Sequence, residues 1–240
     1  MTSTMPDADE YWSSFLQNAI WGLEEAGKLL QTTERRHELE GRKDWFRSKN
    51  SVVPRENSVS RALADAFNVV RAQQELSSNG SSQHDLRFIS IECEVPRPRD
   101  PGISDKAKPT DLRLLLLPLG NFDLRIEAKT VRNIRDLRND YLGSEGIRRF
   151  ENGENPYTIS PHGGMAAYVL DADADDWRQK IKDAVAAQHD SAELPFRDKA
   201  GIERHTSVHC FDHVINGETK HFTVNVFHLV FEIEARPSLR

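Results

Sequence analysis

The chain is predicted to fold as an α/β protein with a mixed central sheet flanked by helices. Three observations predict it. Two strand-like runs, 111–117 and 123–129, flank a turn marked by Pro118, Gly120 and Asn121. Strand and helix patterns alternate after that hairpin, which is the signature of a layered α/β fold. The first seventy residues carry two long helical stripes, the first of which packs on the core or on a second subunit. At 240 residues the chain can bury one large core. Two parts are expected: an N-terminal helical extension, 1–49, and a domain, 50–240, that ends in a β-hairpin.

Taken in order, a polar tail to about Pro6 gives way to a helix running towards Leu30, with Asp7 or Asp9 as its cap. Tyr11, Phe15, Leu23 and Leu30, flanked by Trp12, Leu16 and Ile20, form its wide apolar stripe. The charged stretch 34–49 reads as a solvated helix and connector, anchored by Trp45 and Phe46. Pro54 suits the first turn of the next helix, where a missing N–H costs nothing. Glu56 then falls in that turn, and Val59, Leu63, Ala66, Phe67 and Val70 form the buried side. Residues 77–82 are a serine- and glycine-rich turn, and 88–95 are the first core strand, carrying Glu92 and Glu94. Residues 96–109 form a basic loop containing Lys106 and Lys108.

Beyond the hairpin, 131–141 reads as a helix with Arg132, Arg135 and Arg138 towards one side. Gly143, Gly146 and Gly153 follow, beside Arg148 and Arg149; glycines let the backbone turn and leave amides free for phosphate. Residues 165–170 are a buried strand, and Asp175 caps a helix to about His189 with Trp177, Ile181 and Val185 inward. After a loop at 191–202, a second hairpin spans 206–234 and turns at Asn216-Gly217. Five histidines, His205, His209, His213, His221 and His228, lie in or beside it. A zinc site is set aside because their spacing is not that of a finger and strand alternation scatters them over two faces.

Composition excludes several classes. The longest purely aliphatic run is 114–117, so no membrane span is present, and residues 1–30 lack a secretory pattern. Cys93 and Cys210 are expected as free thiols in a cytoplasmic protein. The formal net charge of −6 argues against strong nonspecific DNA binding by the chain alone. The charge is uneven, however, with the basic residues of 125–149 outnumbering the acidic ones and the reverse holding from 151 to 200.

The first hairpin carries the chemistry. Leu112, Leu114 and Leu116 share one face, as do Leu124, Ile126 and Ala128. The other face holds Asp111 and Arg113 on one strand and Arg125, Glu127 and Lys129 on the next. A five-residue connection, 117–121, pairs Leu116 with Phe122 and brings Asp111 opposite Glu127. A four-residue loop sets Asp111 against Ala128, on the wrong face, unless a bulge intervenes, so an odd-numbered loop or a bulge is expected. Asp111, Glu127 and the Ala128 carbonyl are hard oxygen donors suited to Mg²⁺, which polarises a phosphoryl oxygen and acidifies a water. Lys129 is placed to orient that water or to stabilise developing negative charge. A plain charged hairpin surface is the structural alternative.

Asp111 on one strand followed by Glu127-Ala128-Lys129 on the next resembles the PD-(D/E)XK, or restriction-endonuclease-like, nuclease superfamily. Thr110 stands where that family often has proline, with Pro109 one residue early, and Glu56 matches a glutamate on the helix before the core hairpin. A helix start also favours glutamate through the macrodipole, so Glu56 has a purely structural reading as well. The segment from Tyr141 to Val169, with Gly146-Ile147, Arg149-Phe150, Gly153, Tyr157 and Gly164-Met165, is similar to bacterial phage-defence nuclease subunits. The resemblance implies a restriction-endonuclease-like fold and Mg²⁺-dependent (or Mn²⁺-dependent) DNA endonuclease activity. It implies Asp111, Glu127, Lys129 and Glu56 as catalytic residues, with Asp111, Glu127 and Ala128 on the metal. Arg132, Arg135, Arg138, Arg148, Arg149, Lys106 and Lys108 are the candidate contacts to DNA, double-stranded by expectation. A helicase, ATPase or sensor partner and a homodimer are further expectations. The rival reading is a catalytically silent nuclease-fold subunit.

Overall fold

The computed structural model describes residues 8–48, 51–77, 84–95, 109–117, 122–170, 173–190 and 205–234. The predicted N-terminal tail, the turn at 78–82, most of the basic loop with Lys106 and Lys108, the first hairpin's turn at 118–121 and the loop at 191–202 lie outside them.

Six strands form one mixed sheet in the order β1-β2-β3-β4-β6-β5. They are β1 (Ile89–Val95), β2 (Thr110–Leu116), β3 (Asp123–Val131), β4 (His162–Leu170), β5 (Thr206–Ile215) and β6 (Glu218–Ile233). β1, β2 and β3 run as an antiparallel meander, β4 joins β3 in parallel, and β6 joins β4 in parallel with β5 antiparallel outside it. β4 is central, and eight of its nine residues are buried. Both its faces are covered, so its sequence HGGMAAYVL shows no alternation. Gly163 and Gly164 follow His162 at the start of this strand, where its neighbours press in. A Cβ on Gly163 would sit 2.4 Å from the Phe150 ring, and one on Gly164 2.8 Å from Ile126.

Helices cover both faces of the sheet. On the first lie α1 (Ala8–Leu30), α2 (Thr33–Glu40) and α3 (Glu56–Ser77). The stripe of α1 predicted from its spacing, Phe15, Leu16, Ile20, Leu23 and Leu30, is buried in one cluster with Leu63 and Phe67 of α3 and Leu112, Leu114, Leu124 and Ile126 of the hairpin. Trp45 and Phe46 anchor the connector in that cluster, as expected. On the second face α5 (Ala174–Ala186) buries Trp177, Ile181 and Val185 against Val169, Val226 and Val230. Two short helices complete that layer. One, α4, begins at Ile134–Asp136 and widens into a π turn over Leu137–Tyr141. The other is a single 3-10 stretch, Ile147–Glu151.

Several element ends differ from expectation for local reasons. β3 runs on to Val131, and the next helix starts only after Asn133, whose side chain accepts the N–H groups of Arg135 and Asp136. Asp173, not Asp175, caps α5, accepting from the amides of Asp175 and Asp176. Pro54 is not in a helical turn; it bridges to Phe46, and α3 opens at Glu56. The second hairpin turns where predicted, with Asn216 at φ 55° and Gly217 at φ 83°. Among the described residues no helix is long and apolar enough to cross a membrane. Cys93 is half-buried, Cys210 is exposed, and both are free thiols.

Candidate active site

The register of the first hairpin matches the five-residue connection. Leu112 pairs with Ile126, Arg113 with Arg125 and Leu114 with Leu124, and the Leu116 N–H donates to the Phe122 carbonyl at 3.1 Å. Continued inward, this register puts Asp111 level with Glu127. The described pairs stop at Leu112 and Ile126, and there the Asp111 carboxylate takes the Ala128 N–H at 2.7 Å. Asp111 is thereby turned in against β3 at the point where the two strands part.

Glu127 is 4% exposed at its side chain and is held on both oxygens. Lys129 Nζ donates to Oε1 at 2.5 Å, and the Arg149 guanidinium donates to Oε2. Arg149 also lies over the Tyr157 ring, 4.5 Å from its centroid. Glu56, on the first turn of α3, accepts the Thr130 N–H at 2.7 Å through Oε2 and stands 3.7 Å from Lys129 Nζ through Oε1. Helix α3 thus reaches the hairpin 74 residues later in sequence. Glu56, Asp111, Glu127 and Lys129 form one group with the N–H groups of Ala128 and Thr130.

Burial and neighbouring charge set the electrostatics of this group. Burial, and then the charge on Glu127, lift Asp111 to about 7 against the pull of the Ala128 N–H and of Lys129. Burial alone would lower Lys129, but the Glu127 and Glu56 carboxylates outweigh it and hold its pKa above the ordinary lysine value. Tyr157 and Tyr168 are fully buried, and burial keeps both phenols far above their usual range. The Glu127 charge adds to this for Tyr157, and the Tyr168 hydroxyl sits 2.8 Å from Ser60 Oγ on α3.

The other predicted residues divide. Arg132, Arg135, Arg138 and Arg148 are exposed, with Arg132 paired to Asp136 at 2.7 Å. Arg149, expected among the phosphate contacts, instead turns inward to Glu127. Gly146, expected to offer its amide to phosphate, donates it to the Gly143 carbonyl at 3.0 Å. Glu92 lies on edge strand β1, 44% exposed, 3.6 Å from Arg113 and away from the four-residue group. At the far end of the hairpin Arg113 and Arg125 both hold Asp123, a separate ion-pair cluster.

The histidines are not scattered as expected: four of the five share one face of the sheet. The Asn216-Gly217 turn pairs Ile215 with Glu218 and Thr206 with Phe227, so His205, His209 and His213 share a face and His228 joins it from β6. That face is the one covered by α5. His209 and His213 are buried, and only His221 points to solvent, 65% exposed. Burial holds His228 well below the ordinary imidazole value and lowers His209 against the hydrogen bond it donates to Glu151. Among the described residues the set of three metal-ligating side chains within 4.8 Å of one another is Glu151, His189 and His209. Alternation read together with the Asn-Gly turn would have found the face; Glu151 and His189, from other elements, left no signal.

No family model, curated protein or solved structure matches the chain.

Proposed function

We propose that the chain is a Mg²⁺-dependent endodeoxyribonuclease of the restriction-endonuclease-like fold, acting in bacterial antiphage defence. The observation that carries the reading is the convergence of Asp111, Glu127, Lys129 and Glu56 where β2 and β3 part. Plain hairpin surfaces pair opposite charges in water; here three carboxylates and a lysine are drawn largely out of it. The donor set fits a hard cation, because carboxylate oxygens and the Ala128 carbonyl are the ligands Mg²⁺ prefers. Asp111, raised to about 7 by burial and its acidic neighbours, is a carboxylate short of positive charge. The defence role rests on the resemblance of the Tyr141–Val169 segment alone.

A bound Mg²⁺ would supply Lewis-acid stabilisation of phosphoryl charge. The chain's own residues do the rest. Asp111 is oriented by the Ala128 N–H, and Glu56 is fixed by the Thr130 N–H, so both carboxylates are aimed before any ligand arrives. Lys129, cationic at neutral pH, is positioned to stabilise negative charge at the scissile phosphate or to hold the attacking water. Arg135, Arg138 and Arg148 offer exposed positive charge for the DNA backbone, and Arg132 shares its charge with Asp136.

Arg149 favours a second reading, a catalytically silent nuclease-fold subunit that docks a helicase, ATPase or sensor. With Lys129 on one oxygen of Glu127 and Arg149 on the other, an ion gains that ligand only through a remaining lone pair beside a cation or by displacing one of the two. Incubation of supercoiled plasmid with Mg²⁺ separates the two. The nuclease reading expects chelator-sensitive cutting that Lys129→Ala lowers by at least ~100-fold, the usual loss for a charge-stabilising group. Intact plasmid with wild-type protein at any Mg²⁺ level would favour the silent subunit.

A further inference from the structure

We propose a second, independent metal site that takes a zinc-type transition ion on Glu151, His189 and His209. The three side chains come from three elements of the second layer: the end of the 3-10 stretch, the chain just beyond α5, and β5. Their ligating atoms all lie within 4.8 Å of one another. Glu151 Oε1 is 2.9 Å from His209 Nδ1 and 3.3 Å from His189 Nδ1. Tetrahedral zinc, with donors at about 2.1 Å, spaces its ligands roughly 3.4 Å apart, so shifts of a few tenths of an ångström would admit the ion.

The surroundings are those of a built site. His209 is fully buried at its side chain, His189 is 10% exposed, and Glu151 is 36% exposed, so the fourth position faces solvent. His209 Nε2 lies 2.7 Å from Ser207 Oγ, which lies 2.9 Å from His228 Nε2, and His228 Nδ1 meets the Tyr141 hydroxyl at 3.0 Å. Ligating histidines commonly use the other ring nitrogen in this way, which sets the tautomer that leaves the ligating nitrogen's lone pair free. His189 Nε2 is buried and has no hydrogen-bond partner among the described residues, so Nδ1, facing Glu151, is the nitrogen offered to an ion. Two imidazoles with one carboxylate select zinc and its transition-metal neighbours over Mg²⁺, which prefers all-oxygen shells. Glu151 closes the same 3-10 stretch that carries Arg149, so the ion would also tie down the segment that reaches Glu127.

The test is calorimetric titration of Zn²⁺ into the chelator-stripped full chain, with the visible spectrum of the Co²⁺ form as a second readout. The site predicts one tightly held Zn²⁺ per chain and a tetrahedral Co²⁺ spectrum. His209 is too deeply packed to be the sole probe, so Glu151→Gln and His189→Ala carry the test, their folding checked by thermal melting. Each is expected to weaken Zn²⁺ at least about tenfold, and Ser207→Ala by about the same through its hold on His209. Asp111→Asn should leave Zn²⁺ binding untouched. No saturable binding, equal binding by the variants, or loss with Asp111→Asn alone would overturn the proposal.

Discussion

Arg149 closes over the carboxylate that the first hairpin presents: its guanidinium takes Glu127 Oε2 while Lys129 holds Oε1 at 2.5 Å. The contact spans 22 residues and joins the 3-10 stretch to β3. Both partners are largely withdrawn from water, with side chains 15% and 4% exposed. It therefore matters in two ways, as a structural clasp and as an occupant of a ligand position.

Replacing Arg149 by alanine separates those roles. Without divalent ions the variant should lose about 3 kcal/mol of stability, the cost of leaving a buried carboxylate short of one cation. Mg²⁺ should return part of that loss by binding the freed oxygen, since a ligand selective for the folded state raises stability by mass action. Melting temperatures of wild type and variant, with Mg²⁺ and with chelator, are the measurement. An equal deficit in both conditions would assign Arg149 to packing alone.

Asp111 makes stability depend on pH. Its carboxyl is raised from 3.8 to about 7 by burial first and then by Glu127. A raised carboxyl in the folded state means that the folded chain binds the proton more tightly than the unfolded one. The resulting penalty is absent below pH about 4, grows as the pH rises, and is complete above pH about 7. Asp111→Asn keeps an acceptor for the Ala128 N–H but carries no charge. The metal-free variant should be more stable than wild type at pH about 8, by a few kcal/mol at most, and no more stable at pH about 4. Urea unfolding at the two pH values reads this directly; a gain of the same size at both would refute the assignment.

The second hairpin depends on its turn. Gly217 sits at φ 83°, where an L side chain is strained although the space beside it is open. Gly217→Ala should cost about 1 kcal/mol of unfolding free energy from backbone strain. Denaturant unfolding checks it. A neutral result would mean that the turn relaxes to another conformation without disturbing β5 and β6.

How much could be read from the residues alone depended on whether an interaction was local. The leucine alternation at 112–116 against 124–128 was enough to assign faces, and one loop length then set the register of Leu112 on Ile126. The stripe of α1 and the Asn216-Gly217 turn were legible for the same reason. Helix starts failed where a side chain, Asn133 or Asp173, caught amides that periodicity does not see. Arg149 read only as positive charge, because its direction is set by contact with Glu127 and Tyr157, which no spacing announces. The histidines were misjudged although half the information was present. Counting outward from Asn216-Gly217 pairs His228 with the position of His205, on the interior face of the sheet.

A cation seated between Asp111 and Glu127 is detected by calorimetric titration of Mg²⁺. A Glu151→Gln background keeps the histidine cluster silent. One ion per chain is expected, lost with Asp111→Asn and weakened with Glu127→Gln. Below pH about 7 its affinity should rise about tenfold per pH unit as the Asp111 proton is displaced, and level off above that. No binding at millimolar Mg²⁺, or binding that both substitutions leave unchanged, would contradict it.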